Sequence, residues 1–305
     1  IGASAFAGCR SEHITLPNSL TEISEGTFRC CTNLQSITIP SSVKSIGDEA
    51  FLGAYSIYGE EFEISNLKEV KFQSPCTIES IGKSAFTRTS IEEIEIPHSV
   101  KIIGDKSFAY DTLLITIIFP NSIEYIGSGA LSGCRKLKKV VIPPSVKAIG
   151  SIAFSDCESL EQVIIGESVE KIWEQAFRDT PNLKGIYLKG KTPPSWLDDY
   201  YIDDSFKDNV RKEEITLYVP KGSLQAYREA DFWKDFTNIE EVDYDELMVT
   251  DLDGDGLTDV RDMNVMVNSI MGAEKLSTRF AADVNTDGDI DVFDLNIIIN
   301  KMLSE

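Results

Sequence analysis

Two acidic segments near the carboxyl end carry oxygen-bearing side chains at a spacing that suits calcium. Residues 251–262 and 283–294 each place them at positions 1, 3, 5, 9 and 12 of a twelve-residue loop, with glycine at position 6. Calcium takes about six to eight oxygen ligands, the position-7 carbonyl adds one, and the glycine permits a sharp turn. The sequence therefore predicts two calcium ions. The ligands are Asp251, Asp253, Asp255, Leu257, Asp259 and Asp262 in the first loop, and Asp283, Asn285, Asp287, Asp289, Asp291 and Asp294 in the second.

An acidic flexible linker is the alternative interpretation of this block. It accounts for neither the repeated spacing nor the glycines, and without a cation the carboxylates of each loop would repel one another. Apolar residues also follow each loop at helical spacing. They are Met263, Met266, Val267 and Ile270 after the first loop, and Leu295, Ile298, Ile299 and Met302 after the second. We therefore expect two loop–helix units that fold around calcium.

Two such units, each without a clear entering helix, resemble a dockerin domain over about residues 248–305. The resemblance implies a small all-α calcium module that binds a cohesin-like partner. In that family, loop positions 10 and 11 often contact the partner, which here implicates Val260, Arg261, Val292 and Phe293. They replace the Ser/Thr pair common in clostridial examples, so a standard cellulosomal cohesin is not implied. Arg261 against Phe293 also breaks the symmetry of two docking orientations.

The first 240 residues contain an internal sequence repeat, and the structure that it forms must position any other functional residues of the chain. A phenylalanine slot recurs at intervals of 22, 23, 35, 22, 23, 23 and 23 residues. The slot holds Phe6, Phe28, Phe51, Phe86, Phe108, Leu131, Phe154 and Phe177. A fixed period of about 23 residues is the signature of a solenoid whose coils bury a core only by stacking. The interval of 35 residues is one period plus a 12-residue insertion.

One unit shows how each coil is built. Ile37 and Ile39 alternate with polar residues, which predicts a short strand with one buried face. Pro40 and its equivalents Pro97, Pro120 and Pro143 are expected to end the strand. A second corner follows at Gly47, and we expect it to need positive φ, which glycine adopts readily. The equivalent corner residues are Gly82, Gly104, Gly127 and Gly150.

The recurring I-x-I-P, S-V-x-x-I-G and A-F elements resemble the BspA-like leucine-rich repeat family over roughly residues 1–240. The resemblance implies a protein of the bacterial surface or one that is secreted. The segment from Leu217 to Phe236 resembles the closing cap of such solenoids. It predicts a last strand and a helix with Ser223 as N-cap. Tyr227, Trp233 and Phe236 are then placed to cover the open end of the core.

Composition excludes several classes of function. The 305 residues contain 50 acidic and 29 basic side chains, for a formal charge of −21, which argues against nucleic-acid binding. Residues 241–305 alone carry 16 acids and 4 bases, a net charge of −12. No stretch approaches the ~20 apolar residues of a membrane span. The sequence begins at Ile1 within a repeat, so we expect the natural chain to begin earlier and any targeting segment to lie outside this sequence.

The six cysteines are too few for a disulfide scaffold. Cys9, Cys31, Cys134 and Cys157 follow the phenylalanine slot by three residues, so we expect an internal stack of free thiols. A disulfide between neighbouring coils, such as Cys134 with Cys157, is the alternative.

Two insertions are rich in aromatic residues. Residues 54–65 contain Tyr55, Tyr58 and Phe62, and residues 189–214 contain Trp196, Tyr200, Tyr201 and Phe206. These side chains could stack on sugars or anchor a protein partner, but we favour packing against the edge of the solenoid.

Catalysis has no candidate, since the two histidines, His13 and His98, stand alone. We expect a leucine-rich-repeat solenoid of mainly short β-strands at residues 1–240, with a cap at about 191–240. A linker at 241–249 and a small all-α dockerin-like domain at 250–305 follow. The leading hypothesis is a non-catalytic extracellular or cell-surface binding or adhesion protein. Its repeat face would recognise a host or matrix protein, and its calcium-dependent dockerin would attach it to a partner. The alternative is an accessory or scaffold subunit of a polysaccharide-degrading assembly that docks to a cohesin.

Overall fold

The repeats stack into a β-solenoid of about nine coils. The computed structural model describes residues 1–53, 64–197 and 212–244. Every strand pairing in this part of the chain is parallel, because each coil repeats the conformation of the coil before it. The strands form two faces, which we call the front face and the back face.

Ten strands of two to five residues form the front face of the described part of the chain. They are β1 (His13–Ile14), β3 (Ser36–Ile39), β5 (Glu69–Phe72), β7 (Glu93–Glu95), β9 (Thr116–Ile118), β11 (Lys139–Ile142), β13 (Gln162–Ile165), β15 (Gly185–Leu188), β17 (Thr216–Pro220) and β18 (Asn238–Val242). Their ladders fall into three groups, β1-β3-β5, β7-β9 and β11-β13-β15-β17-β18. The predicted apolar pairs lie in register, as in Ile37 against Val70 and Val140 against Val163. The strands before Pro40, Pro97, Pro120 and Pro143 end ahead of those prolines, as predicted.

The back face is one continuous eight-stranded sheet of short strands. In chain order they are β2 (Glu22–Ile23), β4 (Ser45–Ile46), β6 (Ser80–Ile81), β8 (Ile102–Ile103), β10 (Tyr125–Ile126), β12 (Ala148–Ile149), β14 (Lys171–Trp173) and β16 (Ser195–Leu197). Each contributes one inward apolar residue to the core, for example Ile103 and Ile126, which are both fully buried.

The phenylalanine slot closes the third side of the coil. Phe28 and Phe51 stack with ring centroids 5.2 Å apart, and Phe51 and Phe86 stack at the same distance, 5.2 Å. The 35-residue interval is therefore one coil plus an insertion, as the sequence predicts. Leu131 fills the slot between Phe108 and Phe154, and only Phe6, in the first coil, is exposed, at 41%. The stacked rings belong to one continuous hydrophobic core, which extends to Phe236 in the cap.

The prediction that the corner glycines need positive φ is wrong. In the described coils, the residues with positive φ lie at other positions. They include Gly129, with φ of 63°, and non-glycine residues such as Ile152. The corner glycines are instead required by close approach. A Cβ on Gly127 would lie 2.6 Å from the backbone nitrogen of Asp105 in the preceding coil. Glycine allows the coils to stack at the corner because it has no side chain there.

The cap differs from its prediction in one detail. Ser223 precedes α1 (Leu224–Glu229), but its hydroxyl donates to the Pro220 carbonyl rather than capping the helix. Glu241 of β18 takes that role, because its carboxylate accepts hydrogen bonds from the backbone N–H groups of Gly222 and Leu224 at 2.8 and 3.2 Å. A strand that follows the helix therefore caps it.

The aromatic residues of the cap cover the end of the core as predicted. Tyr227 and Trp233 are fully buried and Phe236 is 3% exposed. Beyond them, β18 adds a last strand, and Tyr244 donates from its hydroxyl to the Tyr218 carbonyl at 3.1 Å. β18 extends to Val242, so the last ladder includes two residues that the sequence analysis assigns to the linker.

Candidate functional site

The front face presents a row of apolar and aromatic side chains. They occupy the outward position between the two buried residues of each strand, in consecutive coils from β9 to β17. The row consists of Ile118, Val141, Ile164, Tyr187 and Tyr218. Ile118 is 55% exposed, whereas Ile164 is 1% exposed and therefore covered by the side chains around it. Val141, Tyr187 and Tyr218 are half-buried, so the row presents part of each of these side chains and most of Ile118 to solvent.

Gly185 opens a notch beside the two tyrosines of this row. The rings of Tyr187 and Tyr218 stack with centroids 4.4 Å apart and planes 12° from parallel. A Cβ on Gly185 would lie 3.1 Å from Tyr187 Cε2 and 3.4 Å from Tyr218 Cε2, so the ring edges overhang the glycine. The resulting cavity of about 120 Å³ is lined by Glu161, Gln162, Lys184, Gly185, Tyr187 and Tyr218.

The chemistry of this tyrosine notch is mixed. Lys184 Nζ lies 3.8 Å from a Glu161 carboxylate oxygen, and both side chains are largely exposed. An exposed ion pair of this kind contributes little to stability. Either side chain can therefore leave its partner and contact a ligand. Tyrosine adds a large, rigid apolar surface with a polar tip. The tyrosine notch is lined by aromatic edges and by charged groups of both signs.

The back face has a different character. One column of residues beside its strands alternates in charge from coil to coil, and consecutive members are joined by backbone hydrogen bonds of 2.8 to 2.9 Å. The column reads Lys44, Glu79, Lys101, Glu124, Lys147 and Glu170, and all six residues are exposed. Opposite charges one coil apart favour the native register. This column therefore acts in the assembly of the coils.

The thiols of the cysteine column are free, as predicted, and Cys31, Cys134 and Cys157 are buried, whereas Cys9 in the first coil is only half-buried. The Sγ atoms of Cys31, Cys134 and Cys157 donate to carbonyls of the phenylalanine slot one coil earlier, at 3.1 to 3.3 Å. Burial raises the pKa of the Cys157 thiol to about 12. Thiols this far from ionisation are poor nucleophiles, so the column is structural.

Asp111 occupies the same column and is fully buried. Its Oδ1 accepts the backbone N–H of Thr89 at 2.6 Å, and its Oδ2 has no hydrogen-bond partner. Burial raises the pKa of this carboxyl well above its usual range, against the lowering effect of the Thr89 hydrogen bond. Asp111 faces the core, away from any surface where a substrate could bind.

Of the aromatic residues predicted in the insertions, Trp196 lies in the described structure. It belongs to β16 and stacks on Phe232 with centroids 3.7 Å apart, while its ring edge meets Trp233. Packing against the cap is therefore the correct interpretation for Trp196. Tyr55, Tyr58, Phe62, Tyr200, Tyr201 and Phe206 lie outside the described residues.

The predicted calcium ligands of both loops also lie outside the described residues, as do Val260, Arg261, Val292 and Phe293. Within residues 1–53, 64–197 and 212–244, no three His, Cys, Asp or Glu side chains are grouped so that they could hold a metal ion. In the same ranges no helix is long and apolar enough to cross a membrane. His13 lies on β1 and His98 follows Pro97, and both are exposed.

Sequence reasoning identified the buried positions of each strand and missed the outward row. The signal was present in the sequence. The repeat position that holds the polar residues Thr38 and Lys71 in earlier coils holds large apolar or aromatic residues in later ones, namely Ile118, Val141, Tyr187 and Tyr218. Gly185 aligns with Gln162 and Thr216 of the neighbouring repeats, and this change to glycine was the sequence signal for the notch. Both features become visible only when equivalent positions of successive coils are compared, because the repeat period alone does not reveal them.

Each coil contacts only its neighbours, through parallel ladders on two sides and an aromatic stack on the third. This arrangement defines a repeat solenoid. Residues 1–114 and 79–193 match the model of the BspA type leucine rich repeat region, in six copies. These matches together span more than half of the 305 residues, and the chain belongs to this family. Residues 249–303 match the dockerin type I domain, a calcium-binding module that docks to cohesins.

Both families are binding modules without catalytic function, and both are typical of extracellular or cell-surface proteins. The chain is similar to solved bacterial structures at low identity. A leucine-rich repeat protein from Bacteroides ovatus is 23% identical with a TM-score of 0.39, over 79% of this chain and 87% of that chain. A leucine rich cell surface protein from Faecalibacterium prausnitzii is 20% identical with a TM-score of 0.35, over 73% and 83%. The leucine rich repeat protein of T. pallidum is 21% identical with a TM-score of 0.35, over 65% and 84%. No curated protein matches the chain.

Proposed function

We propose that this is a non-catalytic extracellular or cell-surface binding protein whose front face recognises a host or matrix protein. The observation that carries the proposal is the tyrosine notch, where Tyr187 and Tyr218 stack beside Gly185 on a rigid sheet. Tyrosines dominate the energetics of many protein interfaces when a partner side chain fills the space beside them. The solenoid supplies the rigidity, since each coil is fixed by parallel ladders on two sides.

The carboxyl end attaches the protein to a second partner. Two calcium ions bind in the two loops through the six predicted ligands of each. The donor set supports this, because carboxylate, amide and carbonyl oxygens around a glycine turn are what calcium prefers. Val260, Arg261, Val292 and Phe293 contact the cohesin-like module. The boundary between the two units lies after Tyr244, whose hydroxyl is bonded to β17.

The match of residues 249–303 to the dockerin type I domain also favours a second candidate function. In it, the protein is an accessory or scaffold subunit of a polysaccharide-degrading assembly, and the dockerin is the active recognition element. The solenoid would then act as a spacer or bind glycans through the same notch.

A binding screen tests both candidates with the full chain in calcium. Immobilised fibronectin, laminin and collagen probe the first, and a panel of cohesins with soluble polysaccharides probes the second. We expect saturable binding to at least one matrix protein, and we expect Tyr187→Ala to weaken it by about tenfold or more. Trp173→Ala is the matched control, because Trp173 is an exposed aromatic side chain on the back face. Binding to cohesins and glycans without any matrix protein would favour the second candidate and contradict the first.

A further inference from the structure

The chain turns back onto the strands of the tyrosine notch after it leaves β18. Tyr244 lies two residues beyond the end of β18 and is 8% exposed. Its hydroxyl donates a hydrogen bond to the backbone carbonyl of Tyr218 at 3.1 Å. Tyr218 supplies one of the two stacked rings of the notch, so the segment that follows the last strand is bonded directly to a residue of the notch.

Two further contacts hold the backbone just ahead of Tyr244. The backbone N–H of Lys221 donates to the Val242 carbonyl at 2.9 Å, and Lys221 Nζ lies 3.0 Å from a carboxylate oxygen of Asp243. Lys221 directly follows β17, so both contacts join the end of β17 to the end of β18. The residues before Tyr244 are therefore fixed relative to the strand that carries Tyr218.

Tyr244 also contacts the coil that carries the other ring of the notch. Lys189 directly follows β15, the strand of Tyr187, and its Nζ lies 5.9 Å from the centroid of the Tyr244 ring, within reach of a cation–π contact. Burial raises the pKa of the Tyr244 hydroxyl, and the nearby hydroxyls of Tyr227, Tyr187 and Tyr218 raise it further. Tyr244 therefore lies beside residues of both coils that form the notch.

We propose that Tyr244 is a positioning residue of the tyrosine notch. Its hydrogen bond restrains the peptide that follows the Cα of Tyr218, and it thereby restrains the direction of the Tyr218 ring. The Tyr187 ring stacks on the Tyr218 ring at 4.4 Å, so the restraint extends to both rings beside Gly185. Side chains that are already held in place lose less entropy when a partner binds. The inference rests on the proposed function and adds to it a residue outside the lining of the notch.

Tyr227 provides a matched control for this role. Its hydroxyl donates to the Gly190 carbonyl at 2.6 Å, so Tyr227→Phe removes a tyrosine-to-carbonyl hydrogen bond of the same kind from the same cap. The substitution leaves the bond between Tyr244 and Tyr218 in place. If Tyr244 served only to stabilise the cap, Tyr244→Phe and Tyr227→Phe would have the same effects on the notch.

The contact between the two rings tests the proposal without any partner. In NMR spectra of the full chain in calcium, with labelled tyrosine rings, we expect Tyr244→Phe to weaken the nuclear Overhauser effect between the Tyr187 and Tyr218 rings. Tyr227→Phe should leave this effect unchanged, and chemical denaturation should show that both variants are folded. An effect that is unchanged in Tyr244→Phe, or that weakens equally in Tyr227→Phe, overturns the proposal.

Affinity tests the consequence for binding, with immobilised fibronectin, laminin and collagen as probes. We expect Tyr244→Phe to weaken by about fivefold the binding that Tyr187→Ala also weakens, because one restraining hydrogen bond is lost. Tyr227→Phe should leave that binding unchanged. Full affinity in Tyr244→Phe, where Tyr187→Ala loses affinity, overturns this inference alone. If Tyr187→Ala binds as the wild-type chain does, the proposed function is overturned instead, and the contact between the rings still decides the role of Tyr244.

Discussion

At the scale of single residues, glycine serves two distinct purposes in this chain. Gly129 has a left-handed backbone, and an added Cβ would first meet the flexible side chain of Lys106 at 3.3 Å. Gly127, in the same coil, has no left-handed backbone, but its added Cβ would meet backbone atoms of the preceding coil at 2.6 Å. The sequence shows a glycine at both positions and cannot distinguish the two requirements.

The two glycines predict different responses to the same substitution. Gly129→Ala should lower the free energy of unfolding by about 1 kcal/mol, the usual penalty for a side chain in the left-handed region. Gly127→Ala should lower it by about 2–3 kcal/mol, because a backbone clash forces two coils apart. Chemical denaturation of both variants measures the difference. Equal losses would mean that close approach is not what fixes the corner.

Asp111 provides a second prediction at this scale. Burial raises the pKa of its carboxyl, so the folded state favours the protonated form more than the unfolded chain does, which ionises this carboxyl above about pH 4. The stability linked to this proton is complete below pH 4 and is lost as the pH rises. Asp111→Asn keeps an acceptor for Thr89 and cannot ionise. We expect it to raise the free energy of unfolding by about 1–3 kcal/mol at pH 7 and to leave it unchanged near pH 4.

Denaturation curves at several pH values check this expectation. Asp105→Asn serves as the control, because Asp105 also accepts a backbone N–H from the next coil but lies at the surface. Parallel stability–pH profiles for wild type and Asp111→Asn would contradict the assigned role.

At the scale of elements, register is set by several independent columns. The phenylalanine stack, the thiol column and the alternating charges of the back face each repeat once per coil. A strand that slipped by one residue would lose all three together. This redundancy explains how the stack absorbs the insertion before Phe86, whose ring lies 5.2 Å from that of Phe51.

Lys101 tests the contribution of the charge column. It lies one coil from Glu79 and from Glu124, with backbone hydrogen bonds to both. Lys101→Glu places three acids in a row and should lower the free energy of unfolding by about 1 kcal/mol at low salt, with a smaller loss at high salt. Lys101→Gln, which removes attraction without adding repulsion, should cost less. A loss that is the same at both salt concentrations would exclude an electrostatic cause.

Much of the architecture could be predicted at this scale, and the reason is repetition. Ile37 and Ile39 recur in equivalent form in every coil, so one periodic pattern yields strand, corner and slot together. The capping of α1 by Glu241 could not be predicted, because the carboxylate comes from 17 residues beyond Leu224 and reaches the helix only after β18 has paired. The row from Ile118 to Tyr218 was missed for a related reason. Each member looks like an ordinary strand residue until the coils are aligned.

At the scale of the whole molecule, the two units should respond differently to calcium. The solenoid is held by a continuous apolar core, and its described residues contain no group of three His, Cys, Asp or Glu side chains that could hold a metal ion. The acidic carboxyl end should fold only with metal, since binding and folding are coupled in small metal-binding domains. We expect a chelator to remove helical circular dichroism contributed by residues 248–305 and to leave the strand signal of the solenoid unchanged. An unaltered helical signal in chelator would contradict this division.

We propose that the solenoid binds its partner at the tyrosine notch and that calcium acts at the carboxyl end. The affinity of the full chain for a matrix protein that the binding screen identifies, measured by surface plasmon resonance with calcium and then with a chelator, tests this most directly. We predict the same dissociation constant in both conditions and a loss of about tenfold or more in Tyr187→Ala. Binding that disappears with calcium, or that persists unchanged in Tyr187→Ala and fails in Trp173→Ala, would contradict the account.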